Sequence, residues 1–170
     1  MSYWAFNLGN DQSGFRTFVI WIFSKIYTNV VELSLFLFKI KIMIANLSQD
    51  DFDIKVLNAD KPVILELWGL RCSFCEKLDP IFKQAAKDAD ESADFYQMLV
   101  NDNIELARKL KVMGVPMILF YQHGVLVAKM KGLQSGVKIL KQLDRIKNYS
   151  PEEAKKNEYR PLLKRIFGKK

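Results

Sequence analysis

The chain has 170 residues, of which 49% are hydrophobic and 26% are charged, and it contains two cysteines and one histidine. This length suits one globular domain with extensions, and two cysteines are too few for a disulfide-stapled scaffold. A structural zinc site takes four ligands, mostly Cys and His, so the composition argues against zinc and no metal is predicted.

The net charge of +7 is concentrated at the two ends of the chain. Residues 1–44 carry a net charge of +2 and residues 148–170 carry +4, which leaves +1 for residues 45–147. The central part is therefore nearly neutral, and no nucleic-acid partner is predicted for it. The sequence also lacks a glycine-rich dinucleotide-binding motif, so no cofactor is predicted.

The first segment, residues 1–43, is apolar and aromatic, most strongly over residues 18–38. Polar residues such as Lys25 and Glu32 recur there at helical spacing, which favours an amphipathic, membrane-associated helix. Two alternatives stay open, an artefactual extension upstream of Met43 and a true transmembrane anchor. A secretory signal matches poorly, because the apolar stretch is long and ends in bulky, basic residues.

The second segment, residues 44–147, has the pattern of an α/β domain. Its apolar runs predict strands near residues 44–46, 63–68 and 95–100, a hairpin over 117–121 and 125–130, and helices over 49–57, 72–88, 103–110 and 135–145. Ser48 is the expected N-cap of the first helix, and Asn101 or Asp102 that of the third. The order of elements predicts a mixed central β-sheet flanked by helices on both faces, and His123 is interpreted as a residue of the hairpin turn.

The third segment, residues 148–170, is a basic tail. Its start, Ser150-Pro151 followed by two glutamates, predicts the beginning of a helix. Residues 160–170 mix apolar and basic side chains, so contact with a membrane surface is one interpretation. We expect instead a solvated, partly disordered tail.

Both cysteines, Cys72 and Cys75, stand where the apolar strand 63–68 gives way to a helix. At this spacing the thiols can reach each other to form a disulfide, and the partial positive charge of a helix N-terminus favours a thiolate there. Cys72 is the expected attacking thiol, because it is nearer that terminus and follows Arg71, and Cys75 is the expected resolving thiol. The pattern predicts thiol–disulfide exchange, and two inert core thiols are the alternative.

Around this motif, residues 44–146 resemble the thioredoxin family in order and spacing. The matching positions are Leu47, Ser48, Phe52, Asp53, Ala59, Asp60, Glu66, Trp68, the two cysteines, Pro80, the Gly-Val-Pro at 114–116, Gly124 and Gly132. The resemblance implies the thioredoxin fold and a disulfide reductase that acts on disulfide-containing proteins and is recycled by an external reductase. Because no export signal is evident, we expect the reducing cytoplasm.

The resemblance also implies a role for individual residues. Glu66 matches a buried acid that exchanges a proton with the resolving thiol, and its apolar neighbours in the strand predict a raised pKa. Pro116 is expected to follow a cis bond and to face the cysteines. Val115 would then offer its backbone to an extended substrate, as an added strand does.

Three further side chains, Trp68, Arg71 and Phe74, are expected to surround Cys72 and contact the substrate. The chain departs from the family pattern at Ser73-Phe74, where Gly-Pro is usual, and at Gln97, which replaces a lysine near the buried acid. These departures leave two alternatives to a reductase. One is a thioredoxin fold kept as a binding or scaffold module, and the other is a membrane-anchored disulfide oxidase or isomerase.

Overall fold

The computed structural model describes residues 44–160. The strands are β1 (Ala45–Asn46), β2 (Val63–Trp68), β3 (Asp94–Leu99), β4 (Met117–Gln122) and β5 (Val125–Lys131), and the α-helices are α1 (Ser73–Ala89), α2 (Ile104–Lys109), α3 (Gly136–Ile146) and α4 (Pro151–Lys156). No helix within residues 44–160 is long and apolar enough to cross a lipid bilayer. The predictions for residues 1–43, including the segment 18–38, and for residues 161–170 lie outside the described residues.

The five strands form one mixed sheet in the order β1-β3-β2-β4-β5. The pairs β1–β3 and β2–β3 are parallel, while β2–β4 and β4–β5 are antiparallel. Strand β2 is therefore central, and its near-continuous apolar sequence fits a strand that is buried on both faces. In the register of the sheet, Glu66 of β2 lies between Gln97 of β3 and Ile118 of β4.

Alternate residues of β2 serve two separate hydrophobic clusters, because successive side chains of a strand point to opposite faces. On one face, Ile64 joins a cluster with residues of α1 and α3, among them Leu78, Phe82, Ile139 and Leu143. On the other face, Val63, Leu65 and Leu67 pack with Phe52, Val56 and Leu106. Full burial stabilises each such side chain by about 1.5–3 kcal/mol. The predicted thioredoxin fold, a mixed sheet with helices on both faces, is confirmed.

The predicted helix over residues 49–57 is only partly correct, since the regular part is a π-helix at Asp53–Leu57. Its last turn closes with the N–H of Asn58 donating to the carbonyl oxygen of Asp53. Contacts at both ends fix the segment. The Ser48 hydroxyl accepts the N–H of Asp51, as expected of a cap. A Cβ at Gly124 would collide with the Leu57 carbonyl, so the hairpin turn packs directly on the end of the π-helix.

The hairpin turn at His123 and Gly124 is confirmed, with both residues in the left-handed region at φ 51° and 71°. Beyond α3, Ser150 caps α4 through a reciprocal capping box with Glu153, so the predicted helix start is also correct. Most of residues 151–159 are exposed, yet two contacts attach this stretch to the domain. Ala154 is fully buried, and the N–H of Tyr159 donates to the carbonyl oxygen of Leu126 in β5 at 2.7 Å.

Candidate active site

The two cysteines lie at the junction between β2 and α1. Cys72 is the N-cap of α1 and Cys75 lies in its first turn, with a Cα–Cα distance of 5.2 Å and a disulfide bond between them. The Cys72 sulfur accepts the backbone N–H of Cys75 at 3.2 Å. Cys72 is half-buried, whereas only 5% of Cys75 is exposed. Cys72 is thus partly exposed with its sulfur bonded to a helix N–H, whereas Cys75 is shielded.

The loop before Cys72 is held by a residue of the segment that follows β3. The side-chain oxygen of Asn101 accepts the N–H of Leu70 at 3.1 Å, and Arg71 next to it has a left-handed φ of 55°. Sequence reasoning considered Asn101 only as a cap of α2. The N-cap of that helix is Asn103, so both predicted caps, Asn101 and Asp102, are wrong.

The Val115–Pro116 peptide bond is cis, as predicted. Pro116 is buried, and its carbonyl oxygen accepts the N–H of Gly132 at 2.8 Å, which ties the loop to the end of β5. Val115 lies against the cysteine loop, because a Cβ built on Gly69 would be 3.1 Å from Val115 Cγ2. The structure therefore places the Val-Pro loop beside the segment that leads to Cys72.

Apolar and cationic side chains surround this junction. Phe74 is 58% exposed, with the Lys77 ammonium 5.9 Å from its ring centroid, and Arg71 is exposed as well. Trp68 is half-buried and lines an open groove of about 470 Å³ together with the ends of β1 and β3. Further exposed apolar side chains project from the neighbouring loops, namely Leu70, Met113 and Leu133.

Glu66 is fully buried in the middle of β2. It lies on the strand face shared with Ile64, the face on which α1 packs. Burial raises the pKa of Glu66 from 4.5 to about 7, a hydrogen bond from Gln97 opposes that rise, and the nearby Asp79 carboxylate adds to it. The predicted direction of the pKa shift is confirmed.

A chain of polar groups connects Glu66 to the surface of α1. The Gln97 amide nitrogen donates to Glu66 Oε2 at 2.8 Å and to Asp79 Oδ1 at 2.9 Å, and Asp79 pairs with Lys83 at 2.8 Å. Gln97 is thus next to the buried acid, as the resemblance implied. Asp79 and Lys83 are not among the predicted site residues, although they follow Cys75 at intervals of four residues and therefore lie on the same side of α1.

The remaining titratable side chains offer little to a metal. Within residues 44–160, no three side chains of His, Cys, Asp or Glu are grouped closely enough to hold an ion. The hairpin residue His123 makes a hydrogen-bond contact within the fold, since its Nε2 atom lies 2.9 Å from the carbonyl oxygen of Tyr149.

Comparison with known proteins identifies this arrangement. The sequence model of the family described as "Thioredoxin" matches residues 43–145. The chain is 28% identical over 82 residues to thioredoxin of Rickettsia bellii, covering 48% of the chain and 78% of that protein, and 28% identical over 102 residues to thioredoxin of Staphylococcus epidermidis, covering 60% and 96%.

A third relative is the bifunctional thioredoxin reductase/thioredoxin of Mycobacterium leprae. It is 26% identical over 92 residues, which are 54% of the chain and 20% of that larger protein. The family match covers more than half of the chain and includes both cysteines and the cis-proline. The chain belongs to the thioredoxin family, and its cysteine pair makes it a thiol–disulfide oxidoreductase.

Proposed function

We propose that the chain reduces disulfide bonds of other proteins through the Cys72/Cys75 dithiol. The observation that carries this proposal is the asymmetry of the pair. Cys72 is partly exposed and is the N-cap of α1, and its sulfur accepts a backbone N–H, while Cys75 is buried. A thiolate at Cys72 would gain from that N–H and from the helix N-terminus, because hydrogen bonds to charged acceptors are the stronger ones.

The proposed reaction has two exchange steps. The Cys72 thiolate attacks one sulfur of the substrate disulfide, which forms a mixed disulfide and releases the other substrate sulfur as a thiolate. Cys75 then gives its proton to the Glu66 carboxylate and attacks the Cys72 sulfur. This step forms the Cys72–Cys75 disulfide and releases the second substrate sulfur, so two electrons pass from the dithiol to the substrate. Glu66 is suited to this task because its pKa of about 7 lies near physiological pH.

The substrate would bind across the loop of the cis-proline. We propose that Val115 pairs its backbone with an extended substrate segment, with Pro116 fixing the loop. Trp68 and Phe74 would provide apolar contacts on either side of Cys72, and Arg71 a positive charge beside it. The proximity of Val115 to Gly69 supports this arrangement, because it places the Val115 loop beside the segment that leads to Cys72.

An external reductase would return electrons to the Cys72–Cys75 disulfide. The Mycobacterium leprae relative, a bifunctional thioredoxin reductase/thioredoxin, supports this partner by joining the two functions in one protein. We propose a cytoplasmic location, since thiols are kept reduced there. Membrane association through residues 18–38 is the alternative, and cell fractionation distinguishes the two.

Reduction of insulin in the presence of dithiothreitol tests the proposed function. We expect Cys72→Ser to abolish activity above the dithiothreitol background, and Cys75→Ser to accumulate a mixed disulfide that mass spectrometry detects. Lys87→Gln, an exposed change near the far end of α1, is the control and should leave the rate unchanged. If Cys72→Ser and the unmodified chain reduce insulin equally fast, the proposed reductase activity is wrong.

A further inference from the structure

The Gln97 side chain bridges two carboxyl groups that belong to different elements. Its single amide nitrogen lies 2.8 Å from Oε2 of Glu66 in β2 and 2.9 Å from Oδ1 of Asp79 in α1. A side-chain amide nitrogen carries two N–H bonds and does not accept hydrogen bonds. Both of its hydrogens are therefore used, one for each carboxyl group.

This bridge makes the two oxygens of Glu66 inequivalent. Oε2 accepts from Gln97, whereas Oε1 is buried and has no hydrogen-bond partner among residues 44–160. When Glu66 takes up a proton, the proton cannot settle on Oε2 without competing with the N–H of Gln97 that already points at it. The geometry leaves Oε1 as the atom that carries the proton.

We infer that Gln97 and Asp79 are positioning residues for the proton transfer between Cys75 and Glu66. Gln97 holds Oε2, so that Oε1 exchanges the proton, and the negative charge of Asp79 favours the protonated state of Glu66. This inference rests on the proposed function for its chemical meaning. The bridge and the charges themselves are properties of the folded chain.

The charges around Glu66 determine the sign of the effect. Burial raises the pKa of Asp79, but its hydrogen bonds with Lys83 and Gln97 and the Lys83 charge outweigh burial, so the pKa lies below its ordinary value. Asp79 is therefore ionised at neutral pH and disfavours a second negative charge on Glu66. Lys83 opposes this effect from further along α1.

Within residues 44–160, the charges that act on Glu66 come from Asp79 and Lys83 of α1. The neighbour of Glu66 in β4 is Ile118, and α3 contributes Ile139 and Leu143 to the hydrophobic cluster. On α1, the remaining titratable group near this face is Cys75, which is in the disulfide here. Asp79 is thus the acid whose removal should change the protonation of Glu66.

Carbon-13 NMR titration of the Glu66 carboxyl group in the oxidised protein tests the inference without requiring activity. Glu66→Gln assigns the signal. We expect Asp79→Asn to lower the midpoint by about 0.5–1 pH unit, because it removes a negative charge and keeps an acceptor for Gln97. Gln97→Leu should raise the midpoint, because it removes the donor to Oε2. Asp88→Asn is the matched control, since this exposed acid of the same helix bonds Gln84 instead.

Infrared spectroscopy of the protonated acid tests the assignment of the two oxygens. If Oε2 is the carbonyl oxygen of protonated Glu66 and accepts from Gln97, the C=O stretching frequency should rise in Gln97→Leu, because that variant lacks the donor. The frequency should stay the same in Asp88→Asn. Asp79 is partly exposed, so Asp79→Asn keeps the fold and decides the question of charge even if Gln97→Leu does not fold.

The role of Asp79 would be overturned if the Glu66 titration midpoint were the same in Asp79→Asn, Asp88→Asn and the unmodified chain. The role of Gln97 would be overturned by an unchanged Glu66 carbonyl frequency in Gln97→Leu. Neither result depends on insulin reduction. A chain that titrates as expected but does not reduce insulin would leave the positioning roles intact and contradict the proposed function alone.

Discussion

Two buried polar side chains near the active site, Glu66 and Asn103, differ in how completely their polar atoms are hydrogen-bonded. Asn103 is 8% exposed and fully paired, since its side-chain oxygen accepts the N–H of Gln49 at 2.7 Å and its amide donates to the carbonyl of Leu99 at 2.9 Å. Glu66 is fully buried, yet only one of its oxygens has a partner among the described residues. The satisfied group ties segments together, whereas the half-satisfied group keeps a proton-binding atom free.

This contrast predicts that Glu66 makes the stability of the fold depend on pH and that Asn103 does not. The pKa of Glu66 rises from 4.5 to about 7 on folding, so below about pH 4.5 both states hold the neutral acid. Between pH 4.5 and about pH 7 the folded state binds more protons than the unfolded state. The contribution of Glu66 to the free energy of unfolding should therefore fall over this range and stay level above it.

Glu66→Gln should remove this fall in the free energy of unfolding at higher pH. The stability of the variant relative to the unmodified chain should rise by about 3 kcal/mol between pH 4 and pH 8, by conversion of the pKa shift. Urea denaturation of the oxidised proteins at the two pH values measures this difference. Glu76→Gln, an exposed change in the first turn of α1, is the control. A relative stability that does not change with pH would contradict the raised pKa.

Asn103→Ala should destabilise the fold by about 2 kcal/mol, because it removes two hydrogen bonds and leaves the Leu99 carbonyl without its amide partner. Its effect should be the same at pH 5 and pH 8, unlike that of Glu66→Gln. Denaturation at both values measures this, with the exposed Asn157→Ala, at the end of α4, for comparison. A strong pH dependence in Asn103→Ala would remove the distinction between the two residues.

In catalysis, Glu66→Gln should slow the resolution of the mixed disulfide about 10-fold or more at pH 7, because Cys75 loses its proton acceptor. Stopped-flow measurement with a preformed mixed disulfide isolates this step from the first attack. The attack by Cys72 should be little affected. Equal loss of rate in both steps would indicate a general distortion of the site and would contradict a role confined to the Cys75 proton.

The smallest effect is expected for Asn101, which bonds the cysteine loop from an exposed position. Asn101→Ala should cost less than about 1 kcal/mol of stability, because water can replace the lost acceptor. It should still increase hydrogen exchange at the Leu70 amide. Unchanged exchange at Leu70, measured by NMR, would show that the loop does not depend on this bond.

The parts of the fold that were predictable from sequence are those determined by local patterns. The apolar run of β2 and the helical periodicity after Cys72 predicted the bounds of β2 and α1 to within one residue, and therefore the position of the site between them. The cis bond before Pro116 followed from the resemblance, and the pKa of Glu66 from its apolar neighbours.

What could not be predicted depends on partners that are distant in sequence. Asn101 bonds Leu70 across 31 residues, and no local periodicity reveals such a bond. Gln97 bonds Glu66 across the same separation, and only the resemblance to the family indicated that it lies near the buried acid. Asn103 does not cap its own helix with its side chain because that side chain bonds Gln49 and Leu99 instead. The packing of the hairpin turn on Leu57, at the end of the π-helix, likewise joins residues that are distant in sequence.

The segment that follows α3 has a consequence for self-association. Strand β5 is an edge of the sheet, and an exposed edge is a template on which another chain can add a strand. The N–H of Tyr159 donates to the Leu126 carbonyl oxygen, and the Tyr159 ring lies 5.4 Å from the Lys129 ammonium. The Lys129 ammonium also donates to the carbonyl oxygen of Leu110. Tyr159 lies beyond the residues that the family model matches, whereas Leu126 and Lys129 lie within them. The contacts of Tyr159 obstruct that stretch of the edge, and so they oppose the growth of sheets between molecules.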